Sequence, residues 1–350
     1  MKLSKEKKYT ILWLSFFAVN IIIIAAIAYR EFHGKEHSTG PMLTKSGILY
    51  LSCGLFCLLV IFLTETVKCR LIMRGLGERI TWRAAFETVA LGRYYDALMP
   101  TGGGGQPFQI YWLTVNGYKA KTASAMPATY FITRQTASIL LTLLIFLICR
   151  DTVSTSVRYA AYAGLFFCCI IPVTEFCFSL KPRTITALIT RIVKLGVKIH
   201  AIKNPKTATE KAIHTLEQYH EGFILIAGNT KLSAALLVLS MLCRISLCCM
   251  PFLVLKIFGC QVTFGHVFPA TVYIYSAVTL IPTPGNSGVS EGAFYLVFSE
   301  AGSSQVFWAM LLWRLLCYYS FLLAGLLIFG NRLFGKPAKY NSEQEESCSN

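Results

Sequence analysis

Charged residues are scarce in this sequence, and acidic residues are the scarcer kind. They make up 14% of the 350 residues, whereas a soluble domain carries about a quarter. Only 17 residues are Asp or Glu, against 33 Lys or Arg, which gives a formal net charge of +16. The low charged fraction, with 55% hydrophobic residues, excludes an ordinary soluble domain and predicts a polytopic membrane protein. The basic excess then indicates cytoplasmic loops and anionic lipid rather than nucleic acid.

The sequence also lacks the motifs of common catalytic and metal sites. Its 13 cysteines and six histidines form no CxxC pair and no metal-ligand spacing, so neither zinc nor a disulfide framework is expected. The glycine run at residues 102–105 is not followed by the Lys-Ser/Thr of a P-loop. Residues 285–288 do not form the GxSxG motif of a hydrolase. We therefore expect no catalytic residue, no metal and no cofactor.

Two Gly- and Pro-rich stretches interrupt the apolar sequence, at residues 100–106 and 282–291. Both begin with Pro-Thr, and both lie between apolar segments too short to cross a hydrocarbon core of ~30 Å. A glycine run breaks a helix and lets other groups approach the backbone. In a bilayer such a run is tolerated where the bared amides face protein, water or a ligand. Each stretch therefore predicts the tip of a re-entrant hairpin, over residues 84–118 and 267–300.

Longer apolar segments surround these hairpins and predict an all-α polytopic membrane protein. About six transmembrane helices are expected from segments of this length. They cover residues 11–29, 46–67, 122–149, 159–180, 232–257 and 304–329. The segment at 68–83 is basic and is placed in a cytoplasmic loop. With both termini also cytoplasmic, most of the 33 Lys and Arg residues fall on the cytoplasmic side.

The order span, span, hairpin, span occurs twice along the chain, with opposite orientation in the membrane. This order predicts a cytoplasmic N-terminus (1–9), a first membrane repeat (10–150), a second membrane repeat (158–330) and a disordered cytoplasmic tail (331–350). The second repeat contains a basic, amphipathic cytoplasmic insert at 181–230. Inverted repeats with broken helices at mid-membrane are typical of transporters.

Three arginines lie inside predicted spans. Arg134 and Arg314 follow the two Gly-rich stretches, and Arg244 is central in its span. Each central arginine costs about 2.5–3.5 kcal/mol on an insertion scale, so it commonly marks a functional site. Together with half-helix N-termini, the arginines predict a hydrated, positive cavity that accepts a phosphate. Alternatively, they pair with acids and only hold helices together. The acids available for this are Glu65, Glu175 and Glu291.

Polar residues beside the two stretches complete the predicted binding site. Asp96 and Glu291 are candidates for binding a cationic headgroup or carrying protons, or else for pairing with Arg93 or Arg314. The polar side chains of the stretches are candidates either for headgroup contacts or for capping the half-helices. The candidate residues in the stretches are Gly103, Gly104, Gly105, Gln106, Gly285, Asn286, Ser287 and Gly288.

At these two stretches the sequence resembles the lysylphosphatidylglycerol synthase transmembrane-region family, the flippase-like membrane domain of the multiple peptide resistance factor. The resemblance is carried by residues 98–106 with Arg134, and by residues 282–288 with Glu291 and Arg314. It implies a multi-pass protein of the bacterial inner membrane. It further implies translocation of lysyl-phosphatidylglycerol or a related lipid, and hence resistance to cationic antimicrobial peptides.

The same resemblance leaves the activity open. In full-length relatives a soluble acyltransferase-like domain transfers lysine from lysyl-tRNA to phosphatidylglycerol. Only residues 331–350 follow the last predicted span here, so we do not expect that domain. The alternatives are a phosphatidylglycerol lysyltransferase or its membrane subunit, or a scaffold for a separate glycosyl- or acyltransferase. Expected partners are a phosphatidylglycerol-type lipid, such a transferase, or a second copy in a homodimer, with no nucleic acid bound directly.

Overall fold

Helices form all of the regular secondary structure in the part of the chain that the structure describes. The structure is a computed structural model, and it describes residues 44–99, 105–149, 152–180, 229–279, 281, 286, 288–299 and 303–334, with isolated positions between 181 and 228. These residues contain no strand. The predicted fold class, an all-α membrane protein, is therefore confirmed.

The helices follow one another with short connections. In chain order they are α1 (Lys45–Gly75), α2 (Trp82–Leu98), α3 (Gly105–Val115), α4 (Ala120–Ile148), α5 (Thr155–Leu180), α6 (Thr230–Ile257), α7 (Phe264–Val278), α8 (Val289–Phe298), α9 (Ser303–Arg314) and α10 (Ser320–Phe334). A π-helical turn at Leu315–Tyr319 joins α9 to α10.

Four of these helical segments are long and apolar enough to cross a membrane. They are α1, α4, α6 and the continuous stretch Gln305–Ile328 of α9, the π turn and α10. They coincide with four of the predicted spans, and α5 contains a fifth. The predicted span at 11–29 lies outside the described residues, and the predicted insert at 181–230 lies almost entirely outside them.

The first long helix continues further than the sequence predicted. The basic segment from residue 68 was expected to be a loop, but α1 runs on to Gly75 and buries Lys68 completely. The expectation was wrong because Cys69, Ile72 and Met73 form an apolar face that packs in the core between the basic positions. The helix ends where Gly77 takes a left-handed φ of 82° and donates its amide to the carbonyl of Arg74 at 3.0 Å.

Two pairs of short helices interrupt the long ones. Helix α2 has 17 residues and packs against α3, which has 11. Helix α7 has 15 residues and packs against α8, which has 10. At 1.5 Å per residue they span about 15–26 Å, less than the ~30 Å hydrocarbon core. The pairs therefore have the length expected of hairpin arms, while their re-entrant placement in a bilayer stays a prediction.

Helix α6 lies at the centre of the packing. It runs along α1 and also contacts α4, α7 and α9. Met250 and Val254 of α6 lie in the largest apolar core, which also contains Phe294 of α8 and Met310 and Trp313 around α9. Helix α2 packs against α10. The pair α2–α3 thus packs against α1, α4 and α10, whereas α7–α8 packs against α4, α5, α6 and α9.

Candidate functional site

A cavity of about 280 Å³ lies where the two short helix pairs meet the long helices. Helices α2, α4, α6 and α7 contribute to its wall, as do the segment before α8 and the helical stretch around the π turn. Four guanidinium groups line it, those of Arg93, Arg134, Arg244 and Arg314. Asp96 lines it as well, together with uncharged polar groups that include Tyr275 and Asn286. The site is therefore a predominantly positive space inside the helical bundle.

The most buried ion pair at the cavity joins Arg314 to Glu291. The Nη2 atom of Arg314 lies 2.6 Å from the Oε2 atom of Glu291, and the two side chains are only 9% and 5% exposed. The same Nη2 donates to the carbonyl oxygen of Asn286 at 3.1 Å. The Glu291 carboxylate also accepts the backbone N–H of Gly288 at 2.6 Å. Glu291 thus fixes both the start of α8 and the arginine of the following long helix.

A second, looser pair joins Arg134 to Asp96. The Nη1 atom of Arg134 lies 3.7 Å from the Oδ2 atom of Asp96, and the side chains are 30% and 21% exposed. The other oxygen of Asp96, Oδ1, accepts the backbone N–H of Gly105 at 2.9 Å, at the start of α3. The carboxylate again connects the first amide of a short helix with an arginine of the next long helix.

A third pair joins Arg93 of α2 to Glu65 of α1. Arg93 donates from both Nε and Nη2 to the Glu65 carboxylate, which is completely buried. The thiol of Cys243 also donates to this carboxylate, at a Sγ–Oε1 distance of 3.6 Å. Close by, the ammonium group of Lys68 lies 4.3 Å from the ring centroid of Tyr130. This buried ionic cluster stabilises the contact of α1 with α2, α4 and α6.

Arg244 differs from the other three arginines of the cavity. Its guanidinium lies 4.8 Å from the ring centroid of Tyr275. Its Nε atom is buried and makes no hydrogen bond within the described residues, a feature that it shares with the Nε atom of Arg314. In that same part of the chain, no Asp or Glu side chain pairs with Arg244, whereas the other three guanidiniums each have a carboxylate partner. Three of the four guanidiniums of the cavity are therefore paired with a carboxylate, and among the described residues Arg244 is not.

A small side pocket of about 10 Å³ adjoins the cavity near Arg134. Gln106 and Gln109 of α3 line it, and Gln109 donates from Nε2 to the carbonyl oxygen of Thr88 in α2 at 3.2 Å. Gly92 of α2 lies directly against the Gln109 side chain, so a larger residue there would displace that side chain. The pocket has room for about one water molecule.

The structure brings most of the described site candidates into one place. The candidates that line the cavity are Asp96, Arg134, Arg244, Asn286 and Arg314. Glu291, Gly288 and Gly105 contact these residues through the bonds given above, and Gln106 lines the side pocket. Gly103, Gly104, Gly285 and Ser287 lie outside the described residues, as does the side chain of Glu175. The sequence left open whether Arg134 and Arg314 line a cavity or pair with acids. The structure shows both, because each arginine lines the cavity and also pairs with a carboxylate.

Sequence reasoning did not single out Arg93, Glu65 or Tyr275 as site residues. Arg93 and Glu65 lie 28 positions apart, and no local pattern in the sequence connects them. Both are nevertheless ionisable residues inside apolar segments, and this is a signal that could have identified them. Tyr275 carries no such signal, because a tyrosine in an apolar helix is a common packing residue.

The model of one protein family matches most of the chain. This family is described as the lysylphosphatidylglycerol synthase TM region, and the match covers residues 21–325. Both short helix pairs and every residue that lines the cavity fall within this range. No protein of curated function matches the chain. The match supports a function related to membrane lipids and agrees with the resemblance at the two Gly-rich stretches.

Proposed function

The chain belongs to the lysylphosphatidylglycerol synthase transmembrane-region family, and from this we propose that it translocates a lipid with an anionic phosphate headgroup across the membrane. The leading candidate is lysyl-phosphatidylglycerol or a closely related lipid. The proposed location is the inner membrane of a bacterium, with both termini cytoplasmic. Export of such a lipid lowers the negative surface charge and hence the attraction of cationic antimicrobial peptides.

The observation that carries this proposal is the arginine-lined cavity between the two short helix pairs. Its four guanidiniums exceed the three carboxylates that pair with them, so the empty cavity favours an anion. The planar guanidinium of arginine matches the oxygens of a phosphate. An intramembrane cluster of this kind is costly to insert and commonly marks a substrate pathway.

The size of the cavity supports a headgroup as the bound part of the lipid. Pockets that enclose a whole small ligand occupy about 300–1,000 Å³, and this cavity occupies about 280 Å³. It suits a phosphoglycerol headgroup while the acyl chains remain in the surrounding bilayer. Asp96, which is partly exposed in the cavity, offers a carboxylate to a cationic amino acid on that headgroup.

Transport would follow from alternate opening of the cavity. Each short helix pair contributes a wall, and each is connected by an ion pair to a long helix. In transporters with inverted repeats, one half moves against the other around a central site. We propose the same for the predicted repeats 10–150 and 158–330, with the headgroup released on the opposite side.

Lipid movement in proteoliposomes tests this proposal directly. Fluorescent phosphatidylglycerol, with and without a lysyl group, is followed for the wild type and for the Arg134→Ala plus Arg314→Ala variant. We expect transport by the wild type and its loss in variant protein that is shown to be folded. Arg79→Gln serves as a control, because Arg79 is exposed and lies outside the cavity. Transport by the variant at the wild-type rate, or none by folded wild type, would contradict the proposal.

The lysyltransferase and scaffold alternatives predict different results. A lysyltransferase would produce new lysyl-lipid when the chain is expressed in a host that lacks it, and lipid extraction would detect this product. A scaffold would lose its effect on deletion of 181–230 while any lipid transport remained. Neither result is expected if translocation is the primary function.

A further inference from the structure

We infer that Arg244 is the residue that binds the phosphate of the translocated lipid, and that the other three cavity arginines mainly hold the walls of the site. This inference rests on the proposed function and specifies which of its residues makes the contact. It narrows the expectation formed on sequence alone, in which Arg134, Arg244 and Arg314 together form a positive cavity that accepts a phosphate.

The first argument is the distribution of charge. Arg93, Arg134 and Arg314 each have a carboxylate within ion-pair distance. A phosphate that approached one of these would have to compete with a carboxylate already in place, and would be repelled by it. Arg244 has no such competitor within the described residues, so an anion there gains a charge-assisted bond without displacing another.

The second argument is the way in which Arg244 is held. The Cζ atom of Arg244 lies 4.8 Å from the ring centroid of Tyr275, and this cation–π contact restricts the orientation of the guanidinium. A restricted donor loses less freedom on binding a ligand than a mobile one.

The third argument is position. Arg244 lies on the central helix α6 and lines the main cavity together with residues from both short helix pairs. It also borders another small pocket of about 10 Å³, whose lining residues include Ser138, Thr142 and Thr279. That pocket has the size of one water molecule. A group at this point is accessible from either half of the protein, as a central binding site requires.

Removal of Arg244 should therefore weaken phosphate binding without destabilising the empty protein. Arg314→Gln leaves the Glu291 carboxylate without its arginine and should lower the melting temperature of the empty protein. Arg244→Gln leaves no carboxylate of the described residues behind, so we expect a melting temperature close to that of the wild type. This contrast separates a binding residue from a structural one.

The experiment uses the full chain in nanodiscs with two probes, dihexanoyl-phosphatidylglycerol and inorganic phosphate. Binding is measured by the rise in melting temperature with probe concentration. We expect Arg244→Gln to weaken the apparent affinity about 10- to 100-fold, as the loss of one bond to a charged group predicts. Arg244→Lys should retain part of the affinity, and Arg79→Gln should retain all of it.

The outcomes distinguish this inference from the proposed function. Wild-type affinity in Arg244→Gln, or a fall in its empty-state melting temperature as large as that of Arg314→Gln, would overturn the inference alone. Binding of inorganic phosphate but not of the lipid by the wild type, lost in Arg244→Gln, would support the anion site and contradict lipid translocation. Failure of the wild type to bind either probe would overturn both.

Discussion

The two short helix pairs contain the same arrangement of a carboxylate, a backbone N–H and an arginine, but the ion pair is short in one and long in the other. In each, a carboxylate accepts the first amide N–H of the second short helix and pairs with an arginine of the next long helix. Glu291 does so in α7–α8, with a 2.6 Å ion pair to Arg314. Asp96 does so in α2–α3, with a 3.7 Å ion pair to Arg134.

The difference arises from where each carboxylate is located. Glu291 lies in the first turn of α8, three residues after Gly288, so its contact with that amide is local. Asp96 lies near the end of α2 and reaches across the Gly-rich loop to Gly105. Its pair with Arg134 faces the cavity and is more exposed. The tighter and more buried contact therefore lies in α7–α8, and the looser, more exposed one lies in α2–α3.

The largest decrease in stability is expected from breaking the short ion pair between Glu291 and Arg314. Glu291→Gln removes a buried charge and leaves Arg314 without its counter-ion, which commonly costs about 3–5 kcal/mol of stability. Thermal unfolding in detergent should show a clear decrease in melting temperature. Replacing both partners, as Glu291→Leu with Arg314→Met, should recover much of the loss, because no uncompensated charge remains. An equal loss in Glu291→Gln and Asp96→Asn would contradict the distinction between the two pairs.

A smaller decrease in stability is expected when a side chain is added at Gly105, next to the looser ion pair of Asp96 and Arg134. The Cβ atom of Gly105→Ala would contact the carbonyl oxygen of Gly92 and the carboxylate of Asp96. Such overpacking costs about 1–3 kcal/mol, and it should separate α2 from α3. Gly292→Ala in α8 is the matched control, since nothing lies within 4 Å of its added Cβ. Thermal unfolding of the two variants should therefore differ, and equal melting temperatures would contradict the close approach at Gly105.

The turn before α8 should be the next most sensitive position. Gly288 has a φ of 82° and Asn286 a φ of 53°, both in the left-handed region. Gly288→Ala should cost about 1–2 kcal/mol of stability, since a Cβ is disfavoured there. Asn286→Gly should be close to neutral, because glycine adopts this φ without strain. Thermal unfolding checks both, and a neutral Gly288→Ala would indicate that the turn can rearrange.

The smallest effect on stability is expected for Asp96→Asn. A partly exposed ion pair contributes about 0.2–1 kcal/mol, so the melting temperature should change little. Transport should change more, since Asp96 is the carboxylate that the cavity offers to a cationic headgroup. In proteoliposomes the preference for lysyl-phosphatidylglycerol over phosphatidylglycerol should decrease, and Asp96→Glu should preserve it. An unchanged preference in Asp96→Asn would remove Asp96 from headgroup recognition.

Much of the fold could be predicted from the sequence because its signals are local. Long apolar segments define α4 and α6 to within a few residues, and the two Gly-rich stretches mark the short helix pairs. The end of α1 could not be predicted in the same way. The Lys and Arg residues after residue 67 are typical of a cytoplasmic loop. Only the packing of the helices shows that Lys68 is buried.

The candidate site was predicted less completely, because its arrangement depends on long-range contacts. Arg134, Arg244 and Arg314 could be identified singly, since each is a charge inside an apolar segment. Which of them has an acidic partner depends on how the helices pack together, and the sequence does not contain that information in any local pattern. The pairing of Arg93 with Glu65, across 28 residues, is the clearest example.

The guanidinium of Arg244, which has no carboxylate partner among the described residues, makes the proposed transport sensitive to voltage. A membrane potential of 100 mV changes the free energy of each elementary charge that crosses it by about 2.3 kcal/mol. Phosphatidylglycerol, with one negative charge, would neutralise the charge of Arg244, so the voltage would act on the return of the empty protein. A lysyl-lipid carries two ammonium groups and one phosphate, so the voltage would act more strongly on the loaded protein. The dependence of transport rate on applied voltage would then differ between the two lipids, and would report which of them the cavity carries.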